Sequence, residues 1–163
     1  MISDGANKLL KVGFNSDVVS AWKQVYEISK NQPRAILEEE LLGLSTDDKC
    51  RAIFSYLVKN VRYQLDPYGN QYIKTPARLL KEGVGDCKSF TMFLASCLHC
   101  LGVPCKVRFV NFDNGDQYTH VYPVAIDEYG KEIALDACEL DSEGHPRYNF
   151  ARMFSKKKDL CYE

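Results

Sequence analysis

Three polar side chains of this 163-residue chain have the types and the order that thiol chemistry needs: Cys87, His120 and Asp136. Cys87 follows Gly85-Asp86 directly, at the predicted first turn of a long helix. A helix N-terminus carries partial positive charge and free N–H groups, which favour a thiolate. The glycines let backbone and substrate approach closely, and the Cys87 N–H is a natural oxyanion donor. His120 falls in mid-strand and Asp136 at the end of the next strand. An antiparallel pair can therefore set a base and its orienting acceptor side by side on one face. The helix that Cys87 opens is expected to pack on that face and bring sulfur to imidazole. Such a trio attacks acyl groups, amides included.

The elements that must hold these residues can be read from periodicity. Apolar residues at Val18, Val19, Trp22, Val25, Tyr26 and Ile28 give a first helix over Ser16 to Lys30. Pro33 is expected to open a second helix, with Ile36, Leu37, Leu41 and Leu42 inward and Gly43 as its stop. Ser45 to Asp48 cap a third, whose inner face is Cys50, Ile53, Phe54, Leu57, Val58 and Val61. Thr75-Pro76 starts a short helix that ends at Gly83. The stretch Gly83-Val84-Gly85-Asp86 reads as a tight loop, followed by the Cys87 to Leu101 helix. After Pro104 the period becomes two. Strands are predicted over Cys105 to Val110, Tyr118 to Ile126 and Glu132 to Leu135, separated by turns at Asp113 to Asp116 and Asp127 to Gly130. The tail beyond Asp141 reads as polar and irregular, with a turn near Tyr148 to Phe154, and Lys156-Lys157-Lys158 as a solvated run. Helices first and a strand meander second give an α+β class with an antiparallel sheet.

Val84-Gly85-Asp86-Cys87, Leu101-Gly102-Val103-Pro104 leading to Arg108, Thr119-His120-Val121-Tyr122 and Ala134-Leu135-Asp136 together resemble the core of the transglutaminase-like superfamily. Tyr63 and Thr75-Pro76-Ala77-Arg78-Leu79-Leu80 fit its upstream pattern. The resemblance covers about residues 60–140. It implies a papain-like α+β core and a Cys-His-Asp triad at Cys87, His120 and Asp136, while the length alone predicts one domain over residues 1–163. Two positions depart from the family: Tyr122 stands where a Trp is common, and Ala137 where a Pro is common. Neither removes a triad group. The second oxyanion donor stays open among Tyr63, Gln64, Gln71 and Tyr72, and the helical residues 1–60 are not explained by the resemblance.

The implied activity is acyl transfer on amide bonds through Cys87. Release by water would make it a peptidase or amidase, and release by an amine a transglutaminase. A third reading is a catalytically silent binding or structural module, such as an assembly or virion component, that keeps the fold. Hydrolysis is favoured, because nothing in the sequence announces a channel for an amine acceptor. The expected partner is a protein or peptide substrate, with no cofactor.

Singly, each residue has a plainer explanation. Most cysteines are core, a lone histidine is usually a satisfied buried one, and a lone aspartate usually marks a turn. Asp86 is expected to cap the Cys87 helix, its charge slightly opposing a thiolate. Cys97-Leu98-His99-Cys100 has metal-like spacing, but it lies inside a helix rather than on a loop, and no residue is assigned to a metal. Trp22 reads as core. Tyr68, Tyr72 and Tyr118 could line a cleft. A formal net charge of −1 argues against a nucleic-acid surface. No apolar run reaches the roughly 18 residues of a membrane span. The start of the chain lacks a secretory pattern, so a cytoplasmic setting with reduced thiols is expected for the seven cysteines.

Overall fold

A computed structural model describes residues 6–9, 16–66 and 71–163, with side chains for 17–66 and 72–163. Four helices are found among them. Helix α1 (Ser16–Ser29) turns Trp22, Val25 and Tyr26 inward, as its period predicts. Helix α2 (Thr46–Asn60) starts at Ser45, whose side chain accepts the Asp48 N–H at 3.2 Å. Helix α3 (Pro76–Glu82) is capped by Thr75 and stopped by Gly83, which takes the left-handed φ of +71° that a Cβ disfavours. Helix α4 (Cys87–Cys100) is buried on nearly every side. It is the central rod of the fold and packs against α1, α2, α3 and the sheet.

The main sheet has four antiparallel strands in the order β7-β6-β5-β8: β5 (Cys105–Asn111), β6 (His120–Ile126), β7 (Glu132–Ala134) and β8 (Lys156–Tyr162). The first three match the predicted meander. Strand β8 does not match the expected solvated tail, because Lys156 to Tyr162 pair with Asn111 to Cys105 along their whole length. The lysine run instead occupies an edge strand, where charged side chains discourage further pairing. Arg108 locks the sheet across its width, bonding Asp159 of β8 at 2.9 Å and Glu132 of β7 at 3.0 and 3.2 Å.

Three further departures concern the periphery. The expected helix over Pro33 to Gly43 is two 3₁₀ turns, Gln32–Ala35 and Glu39–Gly43, separated by extended backbone at Glu38. A segment this short has little helical stability of its own. Only Leu37 and Leu41 pack on the core, leaving Leu42 57% exposed. A strand β1 (Ala6–Leu9) pairs antiparallel with β3 (Gln71–Lys74). The glycine loop carries a two-residue strand β4 (Val84–Gly85), parallel to β2 (Arg62–Tyr63). Among the described residues, no helix is long and apolar enough to cross a membrane.

The sheet faces sort by alternation. Val107, Phe109, Val121, Ala125 and Ile133 join the large core that includes α4. Val110, Tyr122 and Val124 form a separate small cluster with Phe112, Ala134 and Ala151. By the period of two, His120 belongs with Tyr122 and Val124. The helix therefore covers the opposite face from the one the sequence suggested. The imidazole can still meet Cys87, because His120 is the first residue of β6 and Cys87 the first of α4.

Candidate active site

Cys87 owes its position to the chain just before it. Gly85 runs so close to Leu79 and Ser89 that an added Cβ would collide with the Leu79 side chain and lie 3.2 Å from Ser89 Cβ. Strand β4 is held by N–H donation from Arg62 to Gly83 O at 2.9 Å and from Gln64 to Gly85 O at 2.8 Å. Asp86 then caps α4, its carboxylate accepting the Lys88 N–H at 3.0 Å.

Asp86 has a second task that the sequence did not reveal. Lys88, 1% exposed, turns back within the first turn and pairs with Asp86. It also lies 3.5 Å from Asp66 Oδ2. Burial disfavours the ammonium, but Asp86 foremost, then Cys87 and Asp66, hold the Lys88 pKa above its ordinary value. Asp66 is pushed upward by burial and by Asp86, against the Tyr72 N–H that it accepts at 2.5 Å. The negative charge of Asp86 next to the thiol is thus offset by a buried cation. Trp22 is core as expected, and its indole N–H also donates to Lys88 O at 3.1 Å, tying α1 to the start of α4.

His120 and Asp136 meet. The ring Nε2 lies 2.7 Å from Asp136 Oδ2, with Asp136 1% exposed. The other carboxylate oxygen accepts the Cys138 N–H at 3.2 Å, which fixes the plane of the group. On α4, Thr91 donates to Val121 O at 3.1 Å and clamps the helix to β6 beside His120. Burial lowers the affinity of His120 for a proton. Hydrogen bonds to Asp136 and to Cys87, and the charges of both, outweigh it, and the pKa is pushed up to about 10. Asp136 thus holds the imidazole directly, and Cys87 lies near enough to add to the same shift.

The oxyanion candidates separate. Tyr63 packs edge-on to Phe90 at 5.7 Å, and its hydroxyl is pushed upward by burial and by the charges of Cys87, Cys138, Asp86 and Asp136. Its hydroxyl thus lies within electrostatic reach of Cys87 and Asp136. Gln64 and Tyr72 line a different depression, with Asp66, Lys74, Arg78 and Glu82. The side chain of Gln71, and all of Tyr68, lie outside the described residues. Cys138 is a further thiol at the site, missed in the sequence. Its place two residues after Asp136 is the signal that could have found it. Cys97 is fully buried and Cys100 nearly so, on the core side of α4, as their helical position predicts.

The sequence pattern of the transglutaminase-like superfamily matches residues 37–137. The match reaches back through α2, beyond the stretch whose motifs carried the resemblance. No curated protein matches the sequence. The fold is similar to that of a protease candidate from Parabacteroides distasonis, with a TM-score of 0.59 and 15% identity over 73% of this chain. The chain spans only 26% of that protein's length. It is also similar to Legionella pneumophila LapG in a calcium-bound form, with a TM-score of 0.54 and 18% identity over 88% of this chain and 73% of LapG. The matched stretch includes Cys87, His120 and Asp136, the α+β scaffold is papain-like, and the chain belongs to the transglutaminase-like superfamily.

Proposed function

We propose that the chain is a cysteine hydrolase acting on amide bonds of a protein or peptide, with Cys87, His120 and Asp136 as its triad. The observation that carries this reading is the imidazole of His120, held 2.7 Å from Asp136 Oδ2 and raised in pKa by Asp136 and Cys87 together. In the first half-reaction the Cys87 thiolate attacks the carbonyl carbon and an S–C bond forms. The oxyanion is received by the Cys87 N–H, which as the first residue of α4 has no acceptor within the helix, and by the Tyr63 hydroxyl. The C–N bond then breaks, and His120 gives its proton to the leaving amine. In the second, His120 takes a proton from water, the hydroxide attacks the thioester carbon, and the S–C bond breaks to return the thiolate. Asp136 keeps the ring oriented throughout.

Water is favoured over an amine as acceptor because the Parabacteroides protein that shares the fold is described as a protease. The test offers a peptide mixture to the protein in ¹⁸O-labelled water with a primary amine present. One ¹⁸O in each new carboxylate, dependent on Cys87, supports hydrolysis. Amine-linked products would replace it with the transglutaminase reading. The absence of any turnover or acyl adduct would replace it with the silent-module reading.

A further inference from the structure

We propose that His120, Asp136 and Cys138 form a binding site for a borderline-soft divalent cation of the Zn²⁺ class, and that the bound ion switches the thiol site off. A ring nitrogen of His120, a carboxylate oxygen of Asp136 and the sulfur of Cys138 all lie within 4.8 Å of one another. Among the described residues no other histidine, cysteine and carboxylate side chains converge in this way. The convergence is built by local backbone. Strand β7 runs on through the Leu135 N–H, which donates to Pro123 O at 2.9 Å, and so delivers Asp136 beside β6. The chain then turns on Asp136 itself. The Cys138 N–H donates to Oδ1 at 3.2 Å and the Glu139 N–H to Asp136 O at 3.3 Å. That turn brings the Cys138 sulfur within 4.8 Å of the imidazole nitrogen and the carboxylate oxygen. Cys138 is half-buried rather than sealed, which leaves a route for an ion.

The donor set selects the ion. Thiolate and imidazole favour Zn²⁺ and its neighbours, whereas Ca²⁺ and Mg²⁺ want oxygen ligands throughout. Donors bound to a tetrahedral Zn²⁺ at about 2.0–2.3 Å sit about 3.3–3.8 Å apart. The widest separation here therefore has to close by about 1 Å, and the 2.7 Å contact of His120 with Asp136 has to open by somewhat less. Side-chain rotation covers both. The Cys138 thiol proton and the proton shared by His120 and Asp136 pass to solvent, and water fills the fourth position. Three protein ligands with water in the fourth position is an arrangement that Zn²⁺ accepts in open sites. An ion on Nε2 takes the ring from Asp136 and holds it neutral with its one proton on Nδ1, so it can neither accept the thiol proton nor form the imidazolium, and metal binding and thiol chemistry exclude one another. The site does not depend on the hydrolase reading, since its three donors would bind whether or not Cys87 turns over substrate.

The test uses Co²⁺ as a coloured stand-in for Zn²⁺, with the whole chain kept reduced by a phosphine. The wild type should bind one equivalent with a thiolate-to-cobalt charge-transfer band. Zn²⁺ should abolish the band, and excess Ca²⁺ or Mg²⁺ should not. Cys138→Ala should lose the band and weaken binding by at least the roughly 10–100-fold that removal of an outer-shell partner costs. Cys87→Ala should keep both. Should the alanine variant unfold, Cys138→Ser, close to isosteric, carries the same expectation. No band in the wild type, a band that survives loss of the Cys138 sulfur, or a band lost with Cys87 instead would each overturn the proposal.

Discussion

Replacing Asp136 by Asn keeps the shape of the side chain and removes its charge, so it isolates what that charge does to His120. In the intact protein the His120 pKa stands at about 10, although burial alone would lower it. A hydrogen bond to a charged partner contributes about 1.5–3 kcal/mol. At about 1.4 kcal/mol per pKa unit, its loss should bring His120 down by about one to two units, to about 8–9. The influence of Cys87 remains and keeps the value above that of a free imidazole. The assay is a titration of ring nitrogens in histidine-labelled protein by NMR, with chelator present and with His99 and His145 as internal references. Stability should follow. Because the folded pKa of His120 is raised, its contribution is full below the unfolded value of about 6.5 and is lost as pH rises through about 10. Denaturant midpoints of the wild type should therefore fall across that window, and those of Asp136→Asn should fall less and finish falling earlier. A His120 titration that does not move in Asp136→Asn, or that already sits near 6.5 in the wild type, would refute the reasoning.

Lys88→Met should leave Asp86 and Asp66 facing each other in a buried site, at a cost of about 3–5 kcal/mol. For a chain of this size that corresponds to a Tm lowered by about 6–20 °C in calorimetry. A change of less than 2 °C would show that the pair is not held against water as described. Gly85→Ala forces a methyl group against Leu79, itself fully buried. It should cost about 1–3 kcal/mol by overpacking and slow alkylation of Cys87, because the strain falls two residues before the thiol. An alanine variant with wild-type stability and labelling would mean that the glycine is there for another reason.

Much of the candidate site was legible in the sequence, and the reason is local. Cys87, His120 and Asp136 each sit at an element end or strand position that apolar periodicity marks clearly, and the predicted α4, β5, β6 and β7 all form. What stayed hidden depends on contacts between distant segments. Lys156 to Lys158 have no apolar alternation to announce a strand, yet the free edge of β5 recruits them. The 3₁₀ turns between 32 and 43 follow from which leucines find the core, not from local preference. Lys88 gave no sign of burial because α4 is enclosed on nearly all sides and so has no polar stripe against which a buried lysine would stand out. The face carrying His120 was misassigned for a related reason. Strand alternation says which residues share a face, but not which face the helix covers. Cys138 depends on a turn pinned by the Asp136 carboxylate, a tertiary detail that spacing alone does not show.

The proposed chemistry requires that the sulfur at the start of α4 be driven by the imidazole at the start of β6. The direct measurement is the rate of iodoacetamide modification at Cys87 near neutral pH, followed by intact mass with peptide mapping, in wild type, His120→Ala and Cys87→Ala. The prediction is rapid single labelling of the wild type, labelling slowed by at least about tenfold in His120→Ala, since a positioned base typically contributes about 10²–10⁴-fold, and none at residue 87 in Cys87→Ala. Equal labelling rates at Cys87 with and without the imidazole would contradict it.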